Sequence, residues 1–167
     1  YGSNTMKLIV SQNAPFVPIY DAWRADSREM LAYDVKKARR DAELIDAKVL
    51  SNRRPPYTFA GGLYDALKAT DGNVVVATNA QARRASKLFK ELEGIDIHPA
   101  PAVALASLIK MVESGSIDKD ACIMLNITGA GEEAAKKNRE LFYLKPVKTF
   151  SLNATVDDVV NYVETLF

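Results

Sequence analysis

Residues 73–94 read NVVVATNAQARRASKLFKELEG, and they place a strand pattern directly before a helix pattern. The first part carries three consecutive valines, and a short run of β-branched residues is typical of a buried strand. The second part changes to helical spacing, with charged residues between the apolar ones and Gly94 as a stop signal. Its apolar or small positions are Ala82, Ala85, Leu88, Phe89 and Leu92. The stretch therefore predicts a strand over Asn73–Thr78 and an amphipathic helix over Asn79–Leu92.

The same alternation of strand and helix patterns recurs along the whole chain. Three more apolar runs predict strands, at Lys7–Ser11, Gly94–His98 and Ala121–Asn126. A broad apolar face predicts a helix over Pro99–Glu113, and Thr155 with Asp158 resembles a capping box that starts a last helix. Such alternation predicts an α/β fold, a three-layer sandwich with helices on both faces of a mostly parallel sheet. The length of 167 residues fits a single domain over 1–167.

Composition and cysteine count exclude several classes of protein. Lys and Arg number 22 against 21 for Asp and Glu, so the chain lacks the basic field that favours a nucleic-acid partner. The longest apolar runs fall short of the ~20 residues of a membrane span, and no basic-then-apolar leader is visible, so we expect a cytoplasmic protein. The one cysteine, Cys122, excludes a disulfide by count. Its place in an apolar run predicts a packed, buried thiol.

The stretch LNITGAGEE at 125–133 puts a hydroxyl, that of Thr128, between a predicted strand and two glycines. A G-x-G after a strand is one pattern for a phosphate-binding turn, because N–H groups at a helix N-terminus attract anions. Here Glu132 and Glu133 follow at once, and carboxylates in a first helical turn already satisfy the helix dipole while repelling phosphate. The glycines are therefore interpreted as turn and cap residues, and Thr128 lies where α/β proteins bind ligands, at the carboxyl end of a strand.

Charged and titratable residues elsewhere offer weaker signals. A catalytic role for His98 would need a partner in a strained turn, and the sequence has no G-x-S-x-G or reactive-cysteine context, so a loop-end histidine is the alternative. Arg53 and Arg54 suit a fork for phosphate, carboxylate or sulfonate, although they also fit an exposed loop extended by two prolines. The mixed-sign charges between Trp23 and Val49 indicate solvated faces of surface helices.

Four stretches taken together resemble a known enzyme family. LNITGAG resembles the strand-then-TGHG segment near the C-terminal end of threonine synthases, and HPAPAVALASLIKMVESG resembles the EPASAA-type helix start that precedes it at similar spacing. With SQNAPFVPIYDAW and VLSNRRPPYTFAGGLYDAL, the resemblance covers nearly the whole chain. It is nearest to the cysteate synthases, a group within the fold-type II family of pyridoxal-phosphate enzymes.

This resemblance implies a cofactor, a substrate class and site residues. In the family, a threonine at the place of Thr128 offers its hydroxyl to the pyridine nitrogen of pyridoxal phosphate, with Asn126 and Gly129 as neighbouring cofactor-binding residues. Arg53 and Arg54 would then border the site of a small anionic amino-acid substrate. The implied reaction replaces the phosphate of O-phosphoserine with sulfite to give cysteate. The alternatives are threonine synthase, which forms threonine from O-phosphohomoserine, and a non-catalytic α/β ligand-binding module.

Several departures from the family pattern affect this interpretation. His98 stands where threonine synthases carry glutamate, Pro101 where they often carry serine and Ala130 where they carry histidine, which counts against plain threonine synthase activity. The family's cofactor-linked lysine lies in a segment resembling GSFKDR, with a Gly-rich phosphate loop also upstream, and neither is in this sequence. We therefore assign no catalytic residue and expect a C-terminal portion that is inactive alone. Its expected partner is the N-terminal part of the same enzyme, with a homodimer as one option for assembly.

Overall fold

The structure, a computed structural model, describes residues 6–52, 54–140 and 144–167. The chain divides into two compact units, Tyr1–Ala135 and Lys136–Phe167. The strands are β1 (Ile9–Ala14) and β2 (Asn73–Thr78), and the helices are α1 (Pro18–Arg24), α2 (Val35–Leu44), α3 (Leu63–Ala69), α4 (Asn79–Glu93), α5 (Pro99–Glu113), α6 (Glu132–Asn138) and α7 (Val156–Glu164), with a 3-10 turn at Lys48–Leu50.

The two strands form a small parallel sheet. β1 runs beside β2 in a register that starts at Ile9↔Asn73 and ends at Ala14↔Thr78. The predicted bounds of β2 are confirmed, whereas β1 begins later and ends later than the predicted Lys7–Ser11. The α/β class predicted from the sequence is confirmed.

Helices cover both faces of this sheet. Side chains alternate between the two faces along a strand, so Val74 and Ala77 of β2 point in opposite directions. Val74 belongs to a buried cluster with residues of α1 and α3, and Ala77 belongs to a second cluster with residues of α4 and α5. The first cluster contains Ile19, Ala22, Tyr57, Leu67 and Val74. The described part of the first unit is therefore layered as helix, sheet and helix.

The helices with clear end signals begin and end close to their predicted positions. Thr78 accepts a hydrogen bond from the Gln81 N–H and closes a capping box at the start of α4, and Gly94 ends α4 in the left-handed conformation with φ 71°. α5 has the predicted bounds. The predicted capping box of Thr155 and Asp158 is present at the start of α7. In α2 only Ala38 is buried, as expected for a solvated surface helix.

Two predicted strands are absent from the described sheet, and one burial prediction is wrong. In Gly94–His98, Ile97 makes a single antiparallel bridge to Ala130, and Ala121–Asn126 pairs with no described strand. Cys122 is exposed rather than packed, and Met124 nearby is 83% exposed. An apolar run becomes buried only where a neighbouring element covers it, and no described element covers this run.

Candidate functional site

The centre of the candidate site is a turn at Thr128–Gly131, which we call the glycine turn. It lies antiparallel to residues 95–98, the segment just before α5. The His98 N–H donates to the Gly129 carbonyl at 2.9 Å, and the Gly131 N–H donates to the Asp96 carbonyl at 2.8 Å. The bridge between Ile97 and Ala130 lies between these two bonds. The backbone of residues 95–98 therefore fixes the path of the turn.

Asp96 also caps the helix that follows the turn. Its carboxylate accepts hydrogen bonds from the Glu132 N–H at 3.0 Å and from the Glu133 N–H at 3.3 Å. Gly131 precedes these residues with φ 76°, a conformation that favours glycine, and its carbonyl accepts the Ala135 N–H. The first N–H groups of α6 are thus bound to a protein carboxylate. This confirms the turn-and-cap interpretation of the G-x-G pattern over the phosphate interpretation.

An ion pair holds the start of α6 to α4. The Lys90 ammonium donates to the Glu133 carboxylate at 2.6 Å, and this hydrogen bond raises the pKa of Lys90 above its ordinary value. The prediction that Glu132 and Glu133 fill the first turn of α6 is confirmed. Because both partners of the ion pair are about half exposed, its contribution to stability is small.

The ring that packs against Gly129 belongs to His98. A Cβ on Gly129 would lie 2.7 Å from Nδ1 of His98, closer than nonbonded atoms approach. His98 sits at the N-cap position of α5 and is about half exposed, with Nε2 at 3.4 Å from the Glu132 carboxylate. A side chain at position 129 would therefore force the imidazole to move, a reason for glycine that the sequence did not suggest.

Two polar side chains share one exposed face: Asn126, just before the glycine turn, and Thr128, at its first position. Exposure alternates along this segment: Leu125 and Ile127 are half-buried, while Asn126 and Thr128 are exposed. Ile127 packs against the cluster formed by α4 and α5. Neither the Thr128 hydroxyl nor the Asn126 amide makes a side-chain hydrogen bond to any residue that the structure describes. The structure thus presents a free hydroxyl on the side of the chain opposite to the core.

The arginine pair lies in a different part of the first unit. Arg53 lies outside the described residues. Arg54 lines a cavity of about 400 Å³ together with Tyr33, Val35 and Asn52. The backbone N–H of Arg54 donates to the Asn52 side-chain oxygen at 2.9 Å. Within the described residues, the Arg54 guanidinium has no ion-pair partner. This cavity is not lined by Thr128, Asn126 or Gly129, so the two groups of predicted site residues do not share it.

A buried amide network joins the carboxyl ends of the strands, and the sequence analysis did not identify it. Asn13 is fully buried, and its amide group donates to the Ala77 carbonyl at 3.2 Å and to Asn79 Oδ1 at 3.0 Å. Its own oxygen accepts the Ala47 N–H at 3.1 Å. Asn79 in turn accepts the Asp46 N–H at 3.0 Å, which ties the loop after α2 to the sheet. The sequence signal was a pair of neighbouring amides, Gln12 and Asn13, near the end of the strand IVSQNA.

The hydrogen-bond donors at the glycine turn suit the pyridine-nitrogen end of pyridoxal phosphate and not its phosphate end. The phosphate of that cofactor calls for several N–H donors or a cation, and the N–H groups of α6 are not free for it because Asp96 binds them. The pyridine nitrogen calls for one donor, and the free hydroxyl of Thr128 has that chemistry. The described residues contain no group of three or more His, Cys, Asp or Glu side chains that could hold a metal ion.

These features define an α/β protein whose candidate site lies at a glycine-containing turn directly before a helix. Comparison with proteins of similar sequence narrows the class of protein further. The sequence is 48% identical over 152 residues to the cysteate synthase of Methanosarcina mazei, 47% over 150 residues to that of Methanosarcina barkeri and 41% over 147 residues to that of Methanocella paludicola. The chain is homologous to a C-terminal portion of the cysteate synthases.

These alignments cover most of this chain but only part of each relative. They include 90%, 89% and 87% of this chain but 36%, 36% and 34% of the respective relatives, so the chain spans about a third of their length. No family model matches the chain. Among the residues that the structure describes, no helix is long and apolar enough to cross a membrane.

Proposed function

We propose that this chain forms the part of a cysteate synthase-type enzyme that contacts the cofactor ring. The similarity to cysteate synthases supports the enzyme class. The observation that carries the site assignment is the Thr128 hydroxyl, which is exposed and has no partner among the described residues, next to a turn held by backbone hydrogen bonds.

Thr128 would hold the pyridine nitrogen of pyridoxal phosphate by donating one hydrogen bond. A hydroxyl can do this without protonating the nitrogen, whereas a carboxylate would stabilise the protonated ring. The cofactor supplies the electron sink for cleavage at the substrate's β-carbon, and a neutral ring makes that sink milder. Asn126 shares the exposed face and would border the same ring, while Gly129 keeps the backbone path that places Thr128.

Arg54, with Arg53, would bind the anionic group of the substrate. Arg54 lines a cavity, and its guanidinium has no ion-pair partner among the described residues. A guanidinium suits phosphate, carboxylate or sulfonate, which accept two parallel N–H bonds. The proposed reaction replaces the phosphate of O-phosphoserine with sulfite to give cysteate. The remaining two-thirds of the relatives' length would complete the enzyme with the lysine that binds the cofactor and with the phosphate loop.

The test is replacement of Thr128 in the complete enzyme. Thr128→Val keeps the shape and removes the donor, and Thr128→Ser is the control that keeps the hydroxyl. We expect Thr128→Val to lower turnover of O-phosphoserine with sulfite by roughly 2- to 12-fold, since a net hydrogen bond contributes ~0.5–1.5 kcal/mol. Thr128→Ser should stay near wild type. The absorption spectrum of the bound cofactor should change in the valine variant only.

Two results would contradict the proposal. Wild-type turnover and spectrum in Thr128→Val would remove the cofactor role of Thr128. Turnover of O-phosphohomoserine to threonine, with none of O-phosphoserine to cysteate, would instead favour the threonine synthase alternative. Binding of pyridoxal phosphate is measured in parallel, because loss of an interaction that strengthens during reaction lowers the rate constant more than the affinity.

A further inference from the structure

The position of Thr128 is set by its neighbours. Its hydroxyl makes no side-chain hydrogen bond to a described residue, so no hydrogen bond of its own side chain fixes it. On the preceding side, Ile127 packs against the α4–α5 cluster. On the following side, the Gly129 carbonyl is bound by the His98 N–H at 2.9 Å. The orientation of Thr128 therefore depends on how firmly the glycine turn is held.

Residue 96 holds that turn through both its backbone and its side chain. The Asp96 carbonyl accepts the Gly131 N–H, and its carboxylate accepts the N–H groups of Glu132 and Glu133. A carboxylate acceptor at a helix N-terminus is stronger than a neutral one, because it also interacts with the positive end of the helix.

We propose that Asp96 is a positioning residue for Thr128, and that its carboxylate anchors α6 so that the glycine turn holds the Thr128 hydroxyl toward the cofactor. This inference rests on the proposed function, which gives Thr128 its contact with the cofactor ring. Asp96 acts on the turn through these backbone and carboxylate hydrogen bonds. Its effect on the reaction should therefore pass through the turn and disappear when the Thr128 hydroxyl is absent.

The experiment is a double-mutant cycle in the complete enzyme loaded with pyridoxal phosphate. The variants are Asp96→Ala, Thr128→Val and the two combined. Asp96→Asn is the conservative variant, since its amide oxygen still accepts the N–H groups of α6. Asp34→Ala is the matched control, because the Asp34 carboxylate caps α2 in the same way, accepting the Lys37 N–H at 2.8 Å away from the glycine turn.

We expect Asp96→Ala and Thr128→Val each to lower turnover by roughly 2- to 12-fold, and the combined variant to be no slower than the more affected single variant. Asp96→Asn should restore turnover to within about twofold of wild type. Asp34→Ala should lose a comparable amount of stability to denaturant and keep wild-type turnover. The cofactor's absorption spectrum should shift in Asp96→Ala in the same direction as in Thr128→Val.

The results separate failure of this inference from failure of the proposed function. Wild-type turnover in Asp96→Ala, or effects that multiply in the combined variant, would overturn the positioning role while leaving Thr128 as the ring contact. A wild-type absorption spectrum of the cofactor in Asp96→Ala would likewise overturn the positioning role. If Thr128→Val itself behaves as wild type, the proposed function fails, and this inference fails with it.

Discussion

Replacing Asn13 with alanine would remove the buried link between the carboxyl ends of the two strands. The Asn13 side chain is fully buried and makes hydrogen bonds to the carbonyls of Ala14 and Ala77, to Asn79 Oδ1 and from the Ala47 N–H. All four distances lie between 3.0 and 3.2 Å. Alanine offers no polar atom to any of these groups, and Ala47 is itself only 1% exposed.

The expected loss of stability follows from these four hydrogen bonds. A net hydrogen bond contributes ~0.5–1.5 kcal/mol, and a buried donor left without an acceptor costs roughly 1–3 kcal/mol. Asn79 Oδ1 keeps its bond from the Asp46 N–H, so it is not left unpaired. The Ala47 N–H is the group that loses its acceptor. We therefore expect Asn13→Ala to lower the free energy of unfolding by roughly 2–5 kcal/mol.

Urea denaturation of the chain, followed by circular dichroism, measures this loss. Asn73→Ala is the matched control: Asn73 is an exposed asparagine on β2 whose oxygen accepts the Trp23 Nε1–H at 3.1 Å and the Val74 N–H at 2.8 Å. Water can reach this exposed side chain, so the control should lose only roughly 1–2 kcal/mol, less than Asn13→Ala. If Asn13→Ala has the same unfolding midpoint and slope as Asn73→Ala, the network does not stabilise the fold and this reasoning is wrong.

Three further predictions concern other parts of the first unit. Burial raises the pKa of Tyr57 from 10.0 to about 12, so its contribution to stability is present below pH 10 and is lost between pH 10 and pH 12. Between pH 8 and pH 11, wild type should lose about 1.4 kcal/mol more stability to urea than Tyr57→Phe does, and equal losses would contradict the assignment. Gly129→Ala should destabilise the chain by roughly 1–3 kcal/mol because the added methyl group clashes with His98. Adding His98→Ala to this variant should recover part of the lost stability. Additive losses in the double variant would show that the imidazole is not the obstacle. The exposed Cys122 thiol should react with a thiol reagent in the native chain as fast as in the urea-unfolded chain, whereas protection in the native chain would return it to the packed interpretation.

The elements that the sequence predicted well are those whose signals are local. The end signals of α4, the Thr78 capping box and Gly94, lie within or beside the helix itself, and the same is true of Thr155 at the start of α7. The strand at Asn73–Thr78 was also predictable, because a run of valines buried on both faces is unambiguous.

Features that depend on distant partners were not predictable. Whether Ala121–Asn126 becomes a strand depends on a neighbour, and no described element provides one, which also explains the error at Cys122. The role of Asp96 depends on a contact with N–H groups 36 and 37 positions further along the chain. Thr128 was singled out by its place between a predicted strand and two glycines. The resemblance then implied its contact with a cofactor, and that contact stays a prediction.

The parallel pairing of β1 with β2 also bears on how the chain is made. Paired residues such as Ile9 and Asn73 lie 64 positions apart, and the Asn13–Ala77 bond spans the same interval. Closing a loop of that length costs about 4 kcal/mol in entropy, so the sheet gains little until the helices of the crossover are ordered. At ~5–20 residues per second, β2 leaves the ribosome roughly 3–13 s after β1. Throughout that interval the backbone N–H and C=O groups of β1 that later pair with β2 are unpaired, and this strand edge is open to chaperones and to other chains.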